Sequence, residues 1–329
     1  MKILVTGGAG FIASFFIKLC LKVDKNIKIL NIDKLGYASD LQRLKEVSNN
    51  KNYFFKKINI CNLKKVEEVI SQFKPDILVN FAAESHVDNS INKPNEFINS
   101  NIYGTFNLLS SVIKVRSKLL FVHISTDEVY GSTKKGGFKE SDRYNPSSPY
   151  SASKASSDML VNSWNKTFGL KTLIINSTNN YGPYQFPEKL IPVIICNALQ
   201  GKSIPIYGDG RYVRDWIHVQ DNVECIFELI QKKKQNEQFN IGAQQKKNNL
   251  WIVNTICDLL EKLDGRSYKH LIKHVKDRLG HDRRYSVNTD KVRESVGWSN
   301  RISIKDGLES TVNWYYHNQK WWRKFGAQK

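Results

Sequence analysis

The sequence predicts an α/β protein: a doubly wound parallel sheet carrying a smaller mixed α/β lobe. Three observations support this. Short apolar runs at 3–5, 27–32, 77–81 and 119–124 alternate with longer segments of helical period, the pattern of βαβ units feeding a parallel sheet. A glycine-rich turn, Gly7-Gly-Ala-Gly10, follows the first run and opens into an apolar-periodic helix. After about residue 180 the texture changes, with Pro183, Pro187, Pro192 and Pro205 punctuating shorter elements.

The elements follow in order. Lys2-Ile-Leu-Val-Thr6 is a strand, and residues 11–21 form the helix after it. A second strand ends at Asp33, and a further strand is predicted at 77–81. Helical patterns at 97–115 and 150–168 flank the run 119–125, and 173–176 supplies another buried strand. The predicted division is therefore a dinucleotide-binding domain with catalytic residues over 1–180 and a substrate-binding lobe over 181–329, with crossings of the chain between them allowed. The second part ends in a tail rich in tryptophan, Trp314, Trp321 and Trp322.

Charge and cysteine content narrow the class. Fifty Lys and Arg against 31 Asp and Glu give a formal charge of +19. The lysines are scattered as pairs and triplets rather than aligned on one helix or interleaved with aromatics. That reads as solvated surface, so neither nucleic acid nor membrane is expected as a partner. Five cysteines, widely spaced and without a C-x-x-C pair, indicate no disulfide framework and no zinc cage. His270 and His274 share a helical spacing but lack a third ligand, so no metal is expected. With no signal-like segment and no run of about 18 apolar residues, a soluble cytoplasmic protein is expected.

Strand, glycine turn, helix, second strand and acid arrive in the order a dinucleotide site requires. Gly7 and Gly10 let backbone approach a pyrophosphate, and the amides at the helix N-terminus face its charge. Asp33 can accept hydrogen bonds from a ribose diol and would repel a 2′-phosphate, so NAD is expected over NADP, although Lys34 beside it could favour the phosphate.

The chemistry is read from two places. Tyr150 and Lys154 lie four apart and share a helix face, where the ammonium is expected to lower the phenol pKa and make Tyr150 a base. Thr126, Asp127 and Glu128 sit at the carboxyl end of the strand 119–125, where ligands of open α/β sheets lie. A ketone made by oxidation acidifies the neighbouring C–H, so one carboxylate could remove that proton while a protonated acid helps a β-hydroxyl leave.

Long stretches then resemble one family. They include Thr6-Gly-Gly-Ala-Gly-Phe-Ile12, Ala82-Ala-Glu-Ser-His-Val-Asp88, His123-Ile-Ser-Thr-Asp-Glu-Val-Tyr-Gly131, Ser148-Pro-Tyr-Ser-Ala-Ser-Lys-Ala-Ser-Ser-Asp158 and Gly280-His-Asp-Arg-Arg-Tyr285. The chain resembles the extended short-chain dehydrogenase/reductases with a Rossmann-like sheet, and within them the dTDP-glucose 4,6-dehydratases. The resemblance implies that Tyr150 takes the C4 hydroxyl proton, Glu128 removes the C5 proton and Asp127 protonates the departing C6 hydroxyl. Hydride then returns from the tightly bound NAD to C6.

By matching position, the cofactor would meet Gly7, Gly10, Phe11, Ile12, Asp33, Lys34, Leu35, Asn59, Ile60, Phe81, Ala82, Ala83, Ser100, Tyr150, Lys154 and Asn180. The nucleotide sugar would meet Ser85, Thr126, Asn179, Glu188, Lys189, Leu190, Pro205, Tyr207, Arg214, Asn249, Asp277, Arg278 and His281. Arg214 and Lys189 suit a pyrophosphate. Ala13, Gly36, Asn59, Asn89 and Leu279 depart from the family's usual residues. The resemblance also implies a homodimer built from the helical segments 97–115 and 150–164. A UDP- or CDP-glucose dehydratase, an epimerase or decarboxylase of the same fold, and a silent NAD-binding sensor stay open as alternatives.

Overall fold

The structure is a computed structural model and describes residues 1–116 and 118–326. Its larger layer is a seven-stranded sheet. In chain order its strands are β1 (Lys2–Thr6), β2 (Lys28–Asp33), β3 (Tyr53–Lys57), β4 (Ile77–Asn80), β5 (Leu120–Thr126) and β6 (Lys171–Ser177). The smaller lobe then contributes β7 (Asn179–Tyr181), β8 (Ile204–Tyr207) and β9 (Val213–His218). The remaining strands are β10 (Glu237–Ile241), β11 (Lys246–Asn248) and β12 (Ile272–Val275). The large sheet runs β10-β6-β5-β4-β1-β2-β3, and every neighbouring pair in it is parallel. This is the doubly wound α/β architecture predicted above.

Burial on both faces explains why the central strands read as continuous apolar runs. Ile3 and Val5 enter one core with Ile29, Ile77 and Val79, beneath the helices Phe11–Val23 and Val219–Gln231. Leu4 points the other way, into a second core with Leu30, Leu78 and Phe121, covered by the helices Leu63–Phe73, Gly104–Arg116 and Pro149–Phe168. Leu4 is fully buried, and its truncation to Ala should cost about 2–5 kcal/mol through lost transfer energy and a residual cavity.

Two strands of this sheet escaped the sequence reading, and both are edges. β3 alternates half-buried and exposed residues, so it carries no apolar run. β10 arrives from beyond residue 180, pairing in parallel with β6 from Glu237↔Leu173 to Ile241↔Ser177. The chain therefore leaves the large sheet after β6, builds three strands of the smaller lobe, and returns through the helix Val219–Gln231 to close the edge.

The predicted helix over 97–115 is interrupted. A short helix Pro94–Phe97 leads into a π-helical stretch Ile98–Tyr103 before the regular helix Gly104–Arg116. The widened turn lets the buried Asn101 side chain face the chain after β4, where it accepts from Glu84 N at 2.8 Å and donates to Glu84 O at 3.0 Å. Glycine at 104 makes room for the Ile60 side chain, since a Cβ there would lie 2.5 Å from Ile60 Cδ1.

The smaller lobe pairs β7 and β9 in parallel, adds β11 antiparallel to β9, and sets β12 parallel to β8. Its core lies among the helices Leu190–Leu199, Asn249–Asp264 and Ile304–His317. The tryptophan-rich tail packs into this core, with Trp321 8% and Trp322 1% exposed. No helix among the described residues is long and apolar enough to cross a membrane.

Candidate active site

Because the large sheet is parallel, the carboxyl ends of its strands lie along one rim, and the predicted residues gather there. β5 ends at Thr126 and turns at once into a short 3₁₀ helix, Asp127–Tyr130, whose first amides are capped by the Thr126 hydroxyl accepting from Glu128 N at 3.2 Å. This turn places two carboxyl groups side by side with unequal surroundings. Asp127 is 3% exposed, and its Oδ2 has no hydrogen-bond partner among the described residues. Burial first, then the neighbouring Glu128 and Asp215, raises its pKa well above the usual carboxylate range. A carboxyl so raised is suited to hold a proton and to give it up as a general acid.

Tyr150 stands in the first turn of the helix Pro149–Phe168, which begins with a capping box between Ser148 and Ser151 and with Pro149 at its first position. Lys154 follows one turn later and is buried. Its Nζ donates to Ile124 O at 2.6 Å and lies 3.4 Å from His123 Nε2. Burial lowers this ammonium to about 8.

The expectation that Lys154 depresses the Tyr150 pKa is corrected here. Burial and then the Glu128 charge hold the phenol above its ordinary value, with the neighbouring Thr126 hydroxyl acting the other way. The Lys154 ammonium is directed at the Ile124 carbonyl rather than at the phenol.

Beneath Lys154 lies a polar network that the sequence reading missed. His123 is wholly buried, its Nε2 3.4 Å from Asp158 Oδ1 and its Nδ1 3.2 Å from Asn80 Nδ2. Burial pushes this imidazole down to about 4. Asp158 accepts from Ser125 Oγ at 2.8 Å, Tyr144 Oη at 2.9 Å and Asn176 Nδ2 at 3.2 Å. Both residues fell inside recognised stretches; a polar residue in the apolar run 119–124 was the signal for His123. Tyr285 was also missed. Its hydroxyl lies 2.8 Å from Asp282 Oδ2 and 3.4 Å from Glu128 Oε2, and the Arg214 guanidinium sits 4.2 Å above its ring.

The residues expected to hold the cofactor line the same rim, and they fit a dinucleotide. Gly7 adopts φ +68°, and a Cβ there would come 2.7 Å from Ala82 Cα, so the turn packs directly on the chain after β4. Gly10 caps the helix Phe11–Val23 without any side-chain hydrogen bond, leaving the amides at Phe11 and Ile12 to face a ligand. Asp33 accepts from Ala9 N at 3.0 Å, Leu35 N at 2.7 Å and Ser39 Oγ at 2.9 Å. This carboxylate therefore also locks the turn, with Leu35 held at φ +58°. Lys34 is paired with Glu84 at 2.5 Å, which takes it away from a 2′-phosphate.

Ile60 follows β3, Phe81, Ala82 and Ala83 follow β4, and the buried Ser100 lies in the π-helical stretch. Asn180, on β7, has an unpartnered buried Oδ1. Asn59 is exposed and its Oδ1 accepts from Cys61 N at 3.0 Å; the side chain shapes the loop after β3.

Apart from Ser85 and Thr126, which belong to the larger lobe, the residues expected to meet substrate come from the smaller lobe across the cleft, and most are tied to protein groups. Lys189 Nζ donates to Ser85 O at 2.5 Å, just before the helix that begins at Leu190. Glu188 is buried beside it, with an unpartnered Oε2. Pro205 and Tyr207 lie on β8, and the Tyr207 hydroxyl donates to Asp88 Oδ2 at 3.0 Å. Arg278 Nη1 stands 3.9 Å from Asp88 Oδ1. Arg214, on β9, donates to Val213 O at 2.8 Å and Asp282 O at 2.9 Å. Asn179 and Asn249 carry unpartnered buried side-chain oxygens. Asp277 holds His281 through its Nδ1 at 2.7 Å, and that imidazole stacks on Tyr212. Leu279 is 75% exposed.

A parallel sheet with a glycine turn at β1 and a Tyr-x-x-x-Lys helix beside β5 defines a nucleotide-cofactor enzyme of the short-chain dehydrogenase/reductase class. The chain belongs to the GDP-mannose 4,6 dehydratase family, whose model matches residues 4–311. It is 46% identical to a dTDP-glucose 4,6-dehydratase of Neisseria meningitidis serogroup B, across 98% of this chain and 95% of that one. The crystal structure of dTDP-glucose 4,6-dehydratase from Bacillus anthracis in complex with NAD superposes with a TM-score of 0.90 at 42% identity, covering 99% of each chain. The Streptomyces venezuelae dTDP-glucose 4,6-dehydratase with NAD bound gives 0.94 at 37% identity, over 99% of this chain and 100% of that one.

Proposed function

We propose that this chain is an NAD-dependent hydro-lyase that converts dTDP-glucose to dTDP-4-keto-6-deoxyglucose, a step of deoxysugar synthesis. The observation that carries this reading is Asp127: a buried carboxyl beside Glu128 whose pKa is pushed up by burial and by that neighbour. Oxidation alone needs no such acid; loss of water does.

Bound NAD supplies a hydride acceptor at C4 and a donor at C6, and is restored in each turnover. Gly7, Gly10, Phe11, Ile12, Asp33 and Asn180 would hold it, with Asp33 and the Lys34–Glu84 pair favouring NAD over its 2′-phosphorylated form. Tyr150 takes the C4 hydroxyl proton, with Thr126 holding its phenol. Glu128 removes the C5 proton made acidic by the C4 ketone. Asp127 gives its proton to the C6 hydroxyl, which departs as water and leaves a C5–C6 double bond; Glu128 returns a proton to C5 as C6 is reduced. Arg214 and Lys189 bind the pyrophosphate of the substrate.

The protein acts as a cytoplasmic homodimer in this reading. The π-helical stretch and the helices Gly104–Arg116 and Pro149–Phe168 leave Ile98, Tyr103, Phe106, Met159 and Phe168 between 37% and 58% exposed, an apolar face suited to a second copy. Light scattering at micromolar concentration checks this, and a monomer would remove it.

The activity is tested with purified protein and no added NAD, incubated separately with dTDP-glucose, UDP-glucose and CDP-glucose. Water loss is followed by mass spectrometry and the ketone by NMR. Dehydration of dTDP-glucose alone is expected. Turnover of another nucleotide sugar instead would change the substrate, and no turnover even with NAD supplied would sink the reading.

A further inference from the structure

We propose that the C-terminal tail acts on the cofactor turn from a distance, through a relay of positioning residues that ends at Arg43. The inference rests on the NAD-binding reading above. Arg43 is 1% exposed, and its Nη1 donates to Ala9 O, inside the glycine turn, at 2.9 Å and to Ala38 O at 2.8 Å. The same Ala9 carbonyl accepts from Asp40 N at 2.9 Å. Arg43 Nε donates across to the smaller lobe, to Tyr184 O at 3.0 Å, where Tyr184 is held at φ +65°.

The tail closes this arrangement from outside. The Arg43 guanidinium lies 5.3 Å from the Trp321 ring, while Trp321 Nε1 donates to Asp40 Oδ2 at 2.7 Å. Lys324 Nζ reaches the same oxygen at 2.8 Å and Gln42 Oε1 at 2.9 Å.

The tail thus fixes Asp40, Asp40 and the indole fix Arg43, and both Asp40 and Arg43 fix the carbonyl whose orientation sets the amides of the phosphate-binding turn. Packing alone would not need a buried guanidinium aimed at that carbonyl: a buried cation is costly to desolvate, and Arg43 directs its Nη1 and Nε at backbone carbonyls while its Nη2 is buried without a partner among the described residues. The device suits a cofactor that must stay bound through many turnovers, because a pre-set turn removes part of the ordering cost of binding. None of these side chains touches the reacting atoms.

The test uses the full chain loaded with NAD, and its variants Arg43→Lys, Trp321→Phe and Lys324→Met. The rate at which bound labelled NAD exchanges with excess unlabelled NAD is measured. Exchange is expected to rise about tenfold in Arg43→Lys, where a single point donor replaces a guanidinium that reaches three carbonyls through Nη1 and Nε. It should rise about threefold in Trp321→Phe and about twofold in Lys324→Met, which keep the core filled. Hydrogen exchange of the turn amides in the NAD-free protein should quicken in the same order. Unchanged NAD exchange in all three variants would overturn the relay, as would a loss of thermal stability without faster turn amides. A parent protein that binds no NAD at all would overturn the cofactor reading, and the relay with it.

Discussion

In the larger lobe the groups assigned to chemistry are buried and held by rigid backbone: Lys154 by the Ile124 carbonyl, Asp158 by three donors, Asp127 by the turn that ends β5. In the smaller lobe the groups assigned to substrate hold one another or borrow carbonyls. Tyr207 and Arg278 share Asp88, Lys189 takes Ser85 O, and Arg214 takes two carbonyls. The contrast separates two tasks. Chemistry needs fixed distances and shifted pKa values, which burial supplies. Anion capture needs cations whose present partners can be exchanged for phosphate oxygens at small net cost.

The largest effect should come from Tyr150→Phe, which removes the base while leaving its surroundings intact. Formation of enzyme-bound NADH on mixing with dTDP-glucose should slow by about 10²–10⁴-fold, and an undiminished rate would place the base elsewhere. Asp127→Asn should leave that first oxidation in place and slow water loss by about 10²–10³-fold. The sign of its pH dependence is fixed: Asp127 acts in its protonated form, so elimination in the parent falls as pH rises through its raised pKa, and the variant should lack that limb.

Stability should report the buried network. His123 is pushed from 6.5 down to about 4, so between those values the unfolded chain binds a proton that the folded chain refuses, and stability drops as pH falls. At ~1.4 kcal/mol per pH unit this amounts to about 3 kcal/mol. Denaturant titrations from pH 7 to pH 4 should show the loss reduced in His123→Gln, with the remainder in part from His218, which burial also pushes to about 4. An equal loss in parent and variant would remove His123 as a source.

The smallest effect belongs to the exchangeable side. Asp88→Asn weakens the hold on Arg278 and Tyr207, and should lower KM for the nucleotide sugar about two- to threefold with kcat unchanged. A raised KM would mean that Asp88 orders these residues for substrate rather than competing with it.

Much of this was legible in the sequence because it is local. The apolar runs of β1, β2, β4, β5 and β6 report burial on two faces, and the glycine turn, the Asp127-Glu128 pair and the Tyr150–Lys154 spacing each sit within a few residues of a strand end. What was missed depends on distant partners or weak patterns. β3 and β10 are edges with little apolar signal. The π-helical stretch is accompanied by Gly104 packing on Ile60 and Asn101 bonding Glu84, contacts that periodicity does not encode. The Asp88–Tyr207 bond joins residues 119 apart, and the raised Tyr150 pKa follows from burial that a four-residue spacing cannot express.

β10 also has a consequence for the newborn chain. Its partner β6 is complete at Ser177, yet the strand that covers it ends only at Ile241. During synthesis, the ribosome must release roughly 60 further residues before that open, apolar edge can be paired, a delay of several seconds at ~5–20 residues per second. Truncation anywhere between these points would leave a parallel sheet with an exposed template strand, a species prone to self-association rather than a smaller working domain.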